Sequence, residues 1–123
     1  MLVDHVDLRV SDIAKVRPLY DALLPALGYT RVNADEHQVY YHLPGDDVDF
    51  FGITADPGHR ANGTRIAFAA ASRKDVDKLG ALARAAGAQA FEPPHYCVEY
   101  AEDYYATFFE DADGNKFEIC CRA

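Results

Sequence analysis

A chain of 123 residues, half of them hydrophobic, can bury one domain-sized core or two small halves that share one. Twenty acidic residues against twelve basic ones give a net charge of −8, a field that repels phosphate backbones and anionic lipid heads, and no Lys/Arg cluster offsets it. Nucleic acid and membrane surfaces are thus excluded as expected partners, and no uncharged stretch approaches the ~20 residues that a membrane span needs.

The opening Met1-Leu2-Val3-Asp4 has neither the basic region nor the apolar run of a signal peptide. Strand-like Val3–Val10 then leads to Ser11, expected to cap a helix whose apolar positions are Ile13, Val16, Leu19, Leu23 and Leu27. Gly28 suits the left-handed stop. Pro18 and Pro25 fall inside that pattern, so a kink or a 3₁₀ first turn is expected, with the apolar stripe continuing through both. Strands follow at Tyr29–Val32, Gln38–Leu43 and Val48–Ile53, separated by turns at Asn33–Glu36 and Pro44–Asp47.

The linker Thr54–Gly63 carries Pro57, Gly58 and Gly63, and after it the pattern repeats. Strand-like Arg65–Ala70 leads to Ser72, a cap with Asp75 three residues on. The helix that follows has Val76, Leu79, Leu82, Ala83 and Ala86 as its stripe and Gly87 as its stop. Strands are expected at Ala88–Phe91, Tyr104–Glu110 and Lys116–Cys121, the last two joined through Asp113-Gly114. Between them Glu92–Asp103 reads as a long aromatic and acidic loop. Cys97, Cys120 and Cys121 are odd in number and two are adjacent, which suits reduced thiols and a cytoplasmic location. The offset of about sixty residues between halves is too long for a solenoid and fits a duplicated βαβββ unit.

Three short motifs stand in order along these halves: His5-Val6-Asp7-Leu8-Arg9-Val10, Ile66-Ala67-Phe68, and Asp111-Ala112-Asp113-Gly114-Asn115-Lys116-Phe117-Glu118. Together with the two helix–Gly units they resemble the glyoxalase / bleomycin-resistance / dioxygenase family, also called the vicinal oxygen chelate family. The resemblance implies an α+β fold of two βαβββ modules, about residues 1–56 and 62–123, in one domain whose sheets curl around a cleft. It also implies a homodimer acting on a small organic molecule. His5 resembles the family's first-strand ligand and Glu118 its last-strand carboxylate, the expected metal and acid–base groups. Arg65 stands where a second histidine is usual, and Asp49 or Phe50 fills the fourth position according to register.

Arginine has no lone pair to give a cation. Arg65 is therefore expected to repel a metal and to pair with Glu118. His95, Tyr104 and Tyr105 are further candidates for lining a binding site, whereas His37, His42 and His59 sit in polar contexts and are expected at the solvent. Four functions compete. One is a protein that grips a carboxylate or polarised carbonyl through Arg65 and His5. The others are a divalent-metal glyoxalase-like lyase, an extradiol dioxygenase, and a metal-free sequestering protein of the bleomycin-resistance kind. The dioxygenase fits worst, because Arg65 replaces a histidine and Phe108-Phe109 stand where such enzymes often carry a tyrosine.

Overall fold

The structure is a computed structural model that describes residues 3–45 and 50–122. The chain forms two compact units, residues 1–60 and 61–123, each a four-stranded sheet with one helix. The first contains β1 (His5–Val10), α1 (Ile13–Ala26), β2 (Arg31–Ala34), β3 (Gln38–His42) and β4 (Phe50–Ala55) in sheet order β1-β4-β3-β2. The second contains β5 (Arg65–Ala69), α2 (Arg73–Ala85), β6 (Gln89–Tyr96), β7 (Tyr104–Glu110) and β8 (Lys116–Arg122) in order β5-β8-β7-β6. The topology is the same twice: the first strand of each unit runs parallel to its last, and the other neighbours are antiparallel. This is the expected pair of βαβββ modules.

Both helices bury one stripe. In α1 that stripe is Val16, Leu19, Tyr20, Leu23 and Leu24, packed over Val39, Tyr41, Phe51 and Ile53. The helix runs unbroken through Pro18 and Pro25, so the apolar contacts outweigh the backbone bonds that the prolines withdraw. Its cap is Asp12, one residue beyond the expected Ser11, accepting from the Ala14 N–H at 3.0 Å. In α2 the cap is Ser72 as expected, accepting from the Asp75 N–H at 3.1 Å. Gly28 and Gly87 end the helices with φ of +113° and +105°. Gly80 lets α2 approach its sheet closely: a Cβ there would stand 3.1 Å from Thr107 Cγ2. Beneath α2 the Phe117 ring stacks between Phe68 and Phe109, at 5.9 Å from each.

β2 starts two residues later than its pattern suggested, and β6 extends through Pro93 and Pro94 to Tyr96, into the expected loop. The expected start of β4 at Val48 lies outside the described residues. As an edge strand β6 tolerates prolines, which need no ladder partner on the outer side, and its pairing to β7 slips around Glu92.

The β7–β8 turn is built on the buried Asp111. Its carboxylate accepts from the backbone N–H groups of Asp113 and Asn115 at 2.8 and 3.0 Å and from Asn115 Nδ2 at 2.9 Å. Asp111→Ala strands these donors and should lower stability by about 2–3 kcal/mol, read from the urea unfolding midpoint.

Candidate functional site

Strand alternation sorts β8 into two sets. Phe117 and Ile119 point into the core, leaving Lys116, Glu118, Cys120 and Arg122 on the face turned away from α2. Register fixes their neighbours. Arg65 pairs with Lys116, Phe108 with Glu118, Ala106 with Cys120 and Tyr104 with Arg122. From the edge strand, His95 joins this face opposite Ala106, and Cys97 follows it. Cys97, Tyr104, Ala106 and Phe108 form a small buried cluster with Cys120 and Ala101 against it.

Polar groups surround that cluster. The Tyr104 hydroxyl donates to Glu118 Oε2, and both residues are only 7% exposed. Burial, with hydrogen bonds to Cys120 and Glu118, pushes the Tyr104 phenol far above its usual range. The Tyr104 ring is bracketed by the Arg122 guanidinium at 4.7 Å and by the edge-on Tyr100 ring at 5.3 Å. The exposed Arg65 lays its guanidinium over the Phe108 ring, 5.1 Å from the centroid, with the His95 ring 5.9 Å from Phe108. His95 Nδ1 lies 2.8 Å from the Pro93 carbonyl and its Nε2 lies 3.6 Å from Cys97 Sγ. Burial and the Glu99, Glu118 and Glu92 carboxylates push the Cys97 thiol up, so it remains protonated at neutral pH.

The first unit carries its own aromatic face. His5 stacks on Phe50 at 4.6 Å and 16°, with Nδ1 held 2.7 Å from Asp4 Oδ1. Tyr40 meets Phe50 edge-on at 5.1 Å, and His42 tilts toward the same ring at 5.6 Å. His42 is buried at 6% exposure, against the expectation of a solvated side chain, because β3 alternation turns it to this face beside Phe50. Its Nε2 lies 3.3 Å from Asn33 Nδ2.

Four of the expected residues, Arg65, His95, Tyr104 and Glu118, share the second unit's face. Tyr105 does not: odd parity on β7 turns it to the α2 side, where its hydroxyl donates to Asp77 at 2.6 Å. Asp49 lies outside the described residues. The first-unit counterpart of Glu118 by register is Gly52, since His5 pairs with Phe50 as Arg65 pairs with Lys116, and each counterpart lies two residues on. The expected Arg65–Glu118 ion pair is also absent among the described residues, because Tyr104 takes up the carboxylate. Sequence reasoning missed Phe108 as the platform under Arg65 and Phe50 as the platform under His5. The signal was available for Phe108, four residues from Tyr104 and so on the same face.

The chain belongs to the Glyoxalase/Bleomycin resistance protein/Dioxygenase superfamily, whose family model matches residues 2–119. A glyoxalase/bleomycin resistance protein from Albidiferax ferrireducens T118 is 30% identical over all of both chains, with a TM-score of 0.81. Two further solved structures share the fold. A glyoxalase-related enzyme from Fulvimarina pelagi is 18% identical (98% of this chain, 88% of that one, TM-score 0.75). The fosfomycin resistance protein FosX from Listeria monocytogenes is 17% identical (100% and 94%, TM-score 0.73). No curated protein matches the chain.

Divalent metals serve many members of this superfamily, but the donor set on the second unit's face does not fit one. Arg65 offers no lone pair, and Tyr104 already holds the Glu118 carboxylate. Among the described residues no three His, Cys, Asp or Glu side chains gather closely enough to hold a metal ion. Among the described helices none is long and apolar enough to cross a membrane.

Its bond to Asp77, reinforced by burial, pushes the Tyr105 phenol up from 10.0 to about 12. The folded state therefore favours the protonated phenol, a gain fully present below pH 10 and lost as pH rises from 10 to about 12. Tyr105→Phe should be less stable than the parent at pH 8, and the gap should close across that window in urea unfolding.

Proposed function

We propose that the protein binds a small organic anion on the second unit's sheet face, with Arg65 as the anchor and the Phe108 ring as its platform. The observation that carries this reading is an exposed guanidinium seated over an aromatic ring, with no carboxylate within ion-pair distance among the described residues. Such a group offers a planar fork of N–H donors to a carboxylate or phosphonate, and its flat face to a conjugated ligand. Glu118 and His95 line the same face, and this reading gives them the holding or moving of a proton on a bound molecule. The metal-dependent lyase is the weaker reading, for the donor-set reason given above.

Benzoate titrated calorimetrically tests the reading. Arg65→Ala should weaken binding by about ten- to a hundredfold, the worth of a charge-assisted hydrogen bond. Arg65→Lys, which keeps the charge and loses the fork, should fall between. Equal affinity in the parent and Arg65→Ala proteins would remove Arg65 from the site.

We also propose that the chain is a cytoplasmic homodimer, since closed twofold pairing is the commonest assembly of soluble chains. Sedimentation equilibrium at micromolar concentration should return twice the 13.6 kDa chain mass.

A further inference from the structure

We propose that Tyr104 is a positioning residue: its hydroxyl holds the Glu118 carboxylate away from Arg65 and so keeps the guanidinium free. The consequence for ligand binding rests on the reading of Arg65 given above.

Arg65 and Glu118 are built to meet. They lie on adjacent parallel strands and on the same face, and Glu118 is two residues beyond Lys116, the register partner of Arg65. Such diagonal neighbours stand about 7–8 Å apart at the backbone, within reach of two long side chains of opposite charge. Left to themselves they would pair. Tyr104 lies at the other end of the ladder, opposite Arg122, so the Glu118 side chain leans toward Arg122 and away from Lys116.

Three features make this hold firm. The tyrosine is buried, with its ring fixed between Arg122 at 4.7 Å and Tyr100 at 5.3 Å. Glu118 is buried too, so its carboxylate needs a donor, and the phenol supplies one without neutralising it. Arg65, released from the carboxylate, settles on Phe108 at 5.1 Å.

A double-mutant cycle measures the separation without any ligand. Urea midpoints are taken for the parent, Arg65→Ala, Glu118→Gln and their combination, then for the same four carrying Tyr104→Phe. The two effects should add in the first set. They should fail to add in the second, where the released carboxylate turns to Arg65. Coupling in the first set, or additivity in the second, overturns the proposal. If chains carrying Tyr104→Phe do not fold, the first set still decides, additivity supporting the proposal and coupling overturning it.

Benzoate titration separates this from the reading of Arg65. Tyr104→Phe should weaken benzoate about tenfold, and adding Glu118→Gln should return most of the loss, a rescue that a merely structural tyrosine would not show. Absence of benzoate binding in the parent defeats the anion reading and leaves the cycle to judge Tyr104. A Tyr104→Phe loss that Glu118→Gln does not rescue overturns the positioning role.

Discussion

Each module closes on the parallel pairing of its first strand with its last, β1 with β4 and β5 with β8, and the rest of the site's geometry follows from that register. Because strand side chains alternate, the register decides which residues of the two strands share a face. A slip of one position along β8 would send Glu118 into the core and bring Phe117 and Ile119 out. The stack of the buried Phe117 and Phe109 rings with the half-buried Phe68 opposes that slip through the apolar area it removes from water. Core packing on one side of the sheet thus fixes the chemistry on the other.

The two modules use one topology for different surfaces. At the register position that holds Glu118 in the second, the first has Gly52, where a Cβ would stand 2.9 Å from Tyr40 Cδ1. The space that a side chain would take is given to the Tyr40 ring, which packs edge-on against Phe50, and Phe50 in turn carries His5. The first face is therefore built of packed rings, with His5 tied to Asp4 at its margin. The second keeps a carboxylate, a phenol and a guanidinium in one neighbourhood. A duplicated fold can diverge this far because topology fixes the strand order and register, and leaves the residues on each face free to differ.

In the second module the electrostatics depend on burial. An exposed Glu118 would be screened, and its choice between Tyr104 and Arg65 would matter little. Buried, it must accept a hydrogen bond, and whichever donor it takes sets the state of the others on the face. The phenol takes the carboxylate and leaves the guanidinium unpaired. Cys97, raised by burial and surrounding carboxylates, stays a neutral thiol beside His95 and adds no charge. The anion preference proposed for this face is thus local, set against the negative charge of the whole chain.

The order of strands and helices, the glycine stops, the Ser72 cap and the family itself were legible in the sequence, because they rest on local spacing: apolar periodicity, capping residues and turn signals recur sixty residues apart. The candidate site was legible only in its membership. Arg65 and Glu118 could be located by motif, as could His5 on the first module, and Tyr104 and His95 by their aromatic and acidic surroundings. Which way each side chain is engaged was not, since the sequence does not say which of two donors within reach a carboxylate takes. The Tyr104 bond, the Phe108 platform, the turning of Tyr105 toward Asp77 and the burial of His42 depend on strand parity and on neighbours distant in the chain. Local chemistry determined what stands on each strand; long-range register decided what each residue touches.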